Sequence, residues 1–158
     1  SEQQIWYGAR MDVLSTFMAY AADFEKTYVD ENWSRLRDHF TDDAVYDVKA
    51  EGFGCHLEGP DAIFTGMKKS LDGVERKFAE RSIQLPGEPA VNGDEMSVSW
   101  QVTYKMEGKE PHVLQGHSLA RIRDVKVCYL CDSYTPETEA EATDWIARNG
   151  VDIDPSYT

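Results

Sequence analysis

The chain has 158 residues, 41% of them hydrophobic and 11% aromatic, and carries a formal net charge of −13. It is long enough for a real hydrophobic core and too apolar for a disordered chain, and no apolar run approaches the roughly 20 residues of a membrane helix. So acidic a chain is repelled by phosphate backbones and anionic lipid, which argues against nucleic acid and membrane as partners.

Residues 5 to 29 place Ile5, Met11, Leu14, Phe17, Met18, Ala21, Phe24 and Tyr28 at helical spacing and predict one amphipathic helix. The opening SEQQIWYGARMDVL has neither the basic start nor the apolar stretch of a signal peptide. Asp30-Glu31-Asn32 breaks the helix before a short one, Trp33 to Phe40. Ala44 to Val48 reads as a strand, Glu51-Gly52 as a turn, and Gly54 to Glu58 as the returning strand. Pro60 suits the first turn of a third helix that ends near Gly73.

Longer strands follow. Lys77 to Pro89 is one, and Asn92-Gly93-Asp94 is a turn signal. Met96 to Met106 alternates cleanly, with Met96, Val98, Trp100, Val102 and Tyr104 on one face. His112 to Arg123 and Lys126 to Thr135 form the next pair, and Glu139 to Arg148 is a last helix, acidic at its start and basic at its end. This order gives an α+β fold, a curved antiparallel sheet with helices on one face.

Turn positions imply the register. A turn on Asp124-Val125 sets Arg123 against Lys126, Leu119 against Leu130, and His117 against Asp132. A turn on Gly108-Lys109 sets Trp100 against His117. Both counts put His117, Leu119 and Asp132 on the face of Trp100, Val102 and Tyr104. A histidine and a carboxylate opposed across strands are close enough to hydrogen-bond, and within an apolar wall such a pair suits proton transfer. A buried His–Asp pair is equally at home as a satisfied core hydrogen bond. The other face, with Leu114, Ala120, Ile122, Val127 and Tyr129, is apolar enough to suggest a homodimer through the sheet.

Three motifs bear the family resemblance: NWSRLRDHFTDDAVYDV, then GCHLEGPDAI, then CYLCDSY on the final strand, with Trp100 on the long alternating strand between. Over Leu14 to Tyr134 the chain resembles the nuclear transport factor 2-like superfamily and its SnoaL-like group. The resemblance implies a single domain over 1–158, with its core at about 14–135 and a C-terminal helix and tail at 136–158. It implies a cone, with a curved sheet around about three N-terminal helices and a pocket at the open end. Polyketide cyclases, ketosteroid isomerases, limonene epoxide hydrolases, dehydratases and non-catalytic binding proteins share that shape.

Asp132 falls where cyclases and epoxide hydrolases of this group carry an acidic catalytic residue, and His117 falls near an oxyanion-stabilising acid of the isomerases. Tyr46 matches a pocket tyrosine of the epoxide hydrolases, and Tyr28 one of the scytalone dehydratase-like relatives. The isomerase base position lands on Val48, which has no base to offer, with Asp47 one residue off and facing away from Tyr46. The Arg-x-Asp pair of the epoxide hydrolases is missing around Trp100 to Val102.

The expectation is a cofactor-independent enzyme for a small hydrophobic molecule, working by isomerisation, cyclisation, dehydration or hydrolysis. Asp132, His117 and Tyr46 would be catalytic. Trp100, Val102, Tyr28, Leu130, Val48, Tyr104 and Leu119 would bind the substrate. The alternative is a non-catalytic ligand-binding or dimerisation module of the same fold. No phosphate-cradling loop, dinucleotide fingerprint or four-ligand metal spacing is present in the sequence, so no cofactor and no metal are expected. Cys128 and Cys131 form a CxxC on a strand, where the two side chains diverge. His56 is a secondary acid–base candidate near the pocket mouth, while His39 and His112 read as surface residues. Three cysteines, an odd count, suit a reducing cytoplasm.

Overall fold

The computed structural model describes residues 2–158; the side chains of Ile5 and Met11, counted above in the first helix's stripe, lie outside the described residues. In chain order the elements are α1 (Glu2–Asp30), a 3-10 helix (Trp33–His39), β1 (Phe40–Lys49), β2 (Cys55–Glu58), α2 (Pro60–Gly73), a 3-10 turn (Glu75–Lys77), β3 (Glu80–Gln84), β4 (Ala90–Asn92), β5 (Glu95–Lys105), β6 (His112–Arg123), β7 (Lys126–Ser133) and α3 (Pro136–Asn149). The seven strands form one curved, unclosed sheet in the order β2-β1-β7-β6-β5-β3, with β4 also paired to β5. The fold is α+β, a cone whose concave face carries the helices. One pair departs from the antiparallel expectation: β1 and β7 run parallel. They are joined by a long run of chain, from Lys49 to Lys126, rather than by a hairpin, so no tight turn dictates their direction.

Burial follows the pleat. On β5, Met96, Val98, Val102 and Tyr104 are buried, as alternation predicts. Met96 and Val98 join one core cluster with Val13, Phe17 and Tyr20 of α1, Ile63 and Met67 of α2, and Tyr46 and Val48 of β1. Tyr20 anchors the aromatic part of this core, with ring centroids 5.9 Å from Phe17 and 5.2 Å from Phe40. A second apolar cluster forms where Trp145 of α3 packs on Phe78, Val102 and Tyr104. His112 belongs to it: the ring is 9% exposed and lies 5.4 Å from Trp145, and burial lowers its pKa. The surface position expected of His112 is therefore corrected, because it heads the inward parity of β6.

Helix α3 starts as its sequence dictates. The Thr135 side chain caps it by accepting from the Thr138 N–H at 3.2 Å, and Pro136 fills the first turn. Gly150, at φ 60°, ends it. The tail then folds back along α2. The Asp154 N–H donates to the Gly73 carbonyl at 3.0 Å, the Lys69 ammonium donates to Ser156 Oγ at 2.7 Å, and the Tyr157 ring reaches to 5.8 Å from Tyr46.

This docking needs a glycine at 73. A Cβ there would overlap the Asp154 carbonyl, with the carbonyl carbon at 3.1 Å and its oxygen nearer still. Gly73→Ala is accordingly expected to unseat the tail and to cost about 1–3 kcal/mol, the usual range for overpacking. Urea denaturation, together with earlier proteolysis beyond Gly150, checks it.

Candidate active site

The site is set by one extra residue on β7. The Asp124-Val125 turn has φ of 54° and 60°, the type I′ geometry of a two-residue hairpin, and it pairs Arg123 with Lys126 and Ile122 with Val127 as the turn count requires. Cys128 is then skipped: Arg121 faces Tyr129, and the Cys128 thiol donates to the Arg121 carbonyl at 3.4 Å. Beyond this bulge every partner moves by one. Ser118, not His117, lies opposite Asp132, and His117 faces Ser133.

The preceding hairpin is also one residue tighter than expected. Tyr104 meets His112, so Trp100 meets Gly116 and His117 meets Ser99. His117 is exposed on the convex face and hydrogen-bonded to Ser99 Oγ at 3.1 Å. The His117–Asp132 pair is corrected: the two side chains lie on opposite faces of the sheet.

Asp132 keeps its inward position and acquires different partners. The Tyr46 hydroxyl donates to Oδ2 at 2.5 Å, and the Ser118 hydroxyl donates to Oδ1 at 2.6 Å. Trp100 Nε1 donates to Ser118 Oγ at 2.9 Å. An indole N–H only donates, so the serine oxygen accepts from Trp100 and its proton is directed at Asp132. The chain of donors has a fixed sense: Trp100 to Ser118 to Asp132, with Tyr46 closing from the other side. Trp100 can reach because its ring lies directly over Gly116, in space a Cβ would occupy.

Burial pushes the Asp132 carboxyl above its usual pKa, and the bonds from Ser118 and Tyr46 oppose that rise without cancelling it. Burial, and next the charge of Asp132, raise the Tyr46 phenol well above its ordinary value, so it remains a neutral donor.

These groups line a cavity of about 390 Å³ between α1, α2 and the sheet. Phe17, Tyr20, Phe24, Trp100, Leu130 and Tyr134 supply much of its wall. Of the residues expected to bind a substrate, Trp100, Val102 and Leu130 line it. The others do not. Val48 is buried in the core, Tyr104 lines a second cavity of about 850 Å³ beside α3, and Leu119 lies on the convex face with His117. Tyr28 bonds to the Glu75 carbonyl at 3.5 Å, outside the cavity wall, and its ring packs against the Arg76 and Arg81 guanidinium groups. Ser118, Tyr20, Glu75, Arg81 and Tyr157 line the cavity and were not singled out from sequence. Parity along β6 signals Ser118; nothing in the irregular tail signals Tyr157.

The convex face differs from expectation too. Ala120, Ile122 and Val127 are buried in the core, and Leu114 packs inward on the second cluster, so the outer apolar patch that suggested a homodimer is not formed by them. In their place the face carries a polar network. Asp47 accepts from the Tyr129 hydroxyl at 2.7 Å and bonds to His56 Nδ1 at 2.5 Å. Burial raises the Asp47 pKa, but the Tyr129 and His56 bonds outweigh it and hold the carboxylate below its usual range. His56 is exposed there, on the opposite side of the sheet from the cavity. Among the described residues, no group of three or more His, Cys, Asp or Glu is arranged to hold a metal, and no helix is long and apolar enough to cross a membrane.

Known structures share this architecture. TerC, co-crystallised with polyporic acid, superposes with a TM-score of 0.63 at 16% identity, covering 86% of this chain and 98% of its own. An NTF2-like protein from Burkholderia xenovorans LB400 gives 0.62 at 14% identity, with 85% and 98% covered. An LEH-like epoxide hydrolase from M. tuberculosis gives 0.60 at 11%, with 89% and 96% covered. Identities this low show the fold alone. Among curated protein sequences nothing matches. The model of the SnoaL-like domain, however, matches residues 21–130, from the middle of α1 to Leu130 on β7, well over half of the sequence. The chain belongs to the SnoaL-like domain family.

Proposed function

We propose that the protein is a cofactor-independent enzyme that moves a proton on a small, flat, hydrophobic ligand, with Asp132 as its acid–base group. The supporting observation is a buried carboxyl at the wall of an aromatic-lined cavity, bonded at both oxygens by Tyr46 and Ser118 and raised in pKa by its burial. A carboxyl shifted toward neutrality accepts a carbon-bound proton and returns it at a second position more readily than a fully solvated one. Isomerisation and aldol-type cyclisation both begin with such a proton transfer. His117 has no part in this chemistry. TerC, co-crystallised with polyporic acid, is a neighbour in fold whose small organic ligand supports this reading.

Deuterium exchange tests the reading with surrogate ketones in place of the natural substrate. Fused-ring ketones, beginning with 2-tetralone, are incubated with the protein in D₂O and followed by proton NMR. Exchange next to the carbonyl that is faster with wild-type protein and lost in Asp132→Asn supports it. Binding without exchange identifies a ligand-binding module instead.

A further inference from the structure

A cationic group faces the same cavity, on the far side of β5 from Asp132. Arg81 of β3 lines the cavity with its side chain only 10% exposed. Two of its nitrogens are committed. Nη1 donates to Glu25 Oε2 at 2.7 Å, and Nε stands 2.8 Å from Glu75 Oε2, a close ion pair whose angle does not make a hydrogen bond. The ring of Tyr28, 5.0 Å from the guanidinium carbon, fixes its plane. Among the described residues no hydrogen bond uses Nη2. A guanidinium offers five donors in a rigid fork, and one of its arms is therefore spare in the cavity wall.

We propose that Arg81 is a specificity-determining residue whose free arm holds an uncharged carbonyl oxygen of the ligand, at the end remote from Asp132; the inference rests on the reading of this cavity as the ligand site. The acceptor is neutral because the single positive charge is already shared by Glu25 and Glu75, and an anion would approach both carboxylates. Glu75 reports the same pressure: burial raises its pKa in spite of Arg81. The ligand is also long. Arg81 pairs with Tyr104, whereas Asp132 lies opposite Ser118, which pairs with Val98. From Val98 to Tyr104, β5 runs about 20 Å, which the curvature of the sheet and the inward reach of the side chains shorten. An extended fused-ring ketone fits these terms, and a compact monocycle does not. Met18, Ile83 and Leu85 line the same cavity and are exposed apolar residues, which supplies a greasy rim for such a body to pass.

Three probes of one shape test it by fluorescence titration: 2-acetylanthracene, 2-ethylanthracene and anthracene-2-carboxylate. The wild-type protein is expected to bind the ketone about tenfold or more tightly than either of the other two. In Arg81→Met the advantage over the ethyl compound should vanish, while affinity for the ethyl compound itself stays within about threefold. If Arg81→Met does not fold because Glu75 is stranded, Arg81→Met/Glu75→Gln removes the stranded charge and carries the same expectation. Equal affinity of the wild-type protein for ketone and ethyl probes, no binding of the ketone, or a ketone advantage that survives the substitution overturns the proposal. The ketone advantage does not depend on turnover: if it persists while no exchange is seen at Asp132, the catalytic reading falls and the Arg81 assignment stands.

Discussion

Asp132→Asn is expected to slow carbon-bound proton exchange by about 10²- to 10⁴-fold, the usual contribution of a positioned acid–base group. Affinity for the same ketone should stay within about threefold, since the amide keeps the shape of the carboxyl. The fold should not suffer either. An aspartate whose folded pKa lies above its unfolded value of 3.8 contributes stability below that value, and the contribution is lost as pH rises through the folded pKa. At neutral pH the ionised form works against folding, so the Asn variant should be at least as stable as wild type, and its relative stability should improve from pH 4 toward pH 8. Loss of exchange with no loss of melting temperature separates chemistry from folding. His117→Ala is the control: placed on the convex face, it should leave exchange unchanged.

Gly116→Ala should disable the same site without touching any ionisable group. The added Cβ would lie 2.8 Å from Trp100 Cε2 and closer to two further atoms of the indole. The three atoms nearest the methyl all belong to the indole, so the ring must move, and the cavity that Trp100 lines is the space open to it. Two consequences follow. The Trp100–Ser118 bond at 2.9 Å breaks, freeing the serine hydroxyl from its single orientation toward Asp132. The indole also takes up ligand space. A loss of about 1–3 kcal/mol in stability is expected from overpacking, together with at least tenfold weaker binding of fused-ring ligands, a drop of about 1.4 kcal/mol. Denaturant titration and the anthracene probes measure the two separately. Unaltered binding would mean that Trp100 does not wall the ligand site.

The sequence made the sheet legible strand by strand but not pair by pair. Alternation on β5 gave the inward face of Met96, Val98, Trp100, Val102 and Tyr104, because each residue type reports its own environment. Asp132 on the last strand was also placed inward. The strand between them was inverted, because its face came from counting residues through two turns. One turn was a residue tighter than assumed, and the other was followed by a bulge at Cys128. Each error flipped β6 alone, so the two counts agreed with one another and were both wrong. A better signal lay within β6 itself: Arg121 and Arg123 share a parity, Ala120 and Ile122 share the other, and charged ends belong outside. That parity places Ser118 inward and His117 outward.

Other features had no local signal at all. The return of the tail along α2, which brings Tyr157 to Tyr46, depends on Gly73 meeting Asp154 across 81 positions of chain. Nothing near Arg81 and Glu75 in sequence tells that β3 turns the arginine toward Glu25 of α1. His112 was misplaced for the same reason as His117, through the parity of β6. The helices, by contrast, were largely readable from their punctuation: Pro60 opens α2 as expected, while α3 begins at Pro136, three residues ahead of the expected Glu139.

The central claim is that Asp132 is a carboxyl lifted in pKa by an apolar cavity and held by Tyr46 and Ser118 rather than by His117. Carbon-detected NMR of its side-chain carboxyl, titrated from pH 3 to 9, tests this directly. The midpoint in wild-type protein should lie above the ordinary aspartate value, rise further in Tyr46→Phe and in Ser118→Ala, which each remove a donor to the charged form, and move least in His117→Gln. A midpoint at or below the ordinary value, or a larger displacement from His117→Gln than from Ser118→Ala, would contradict it.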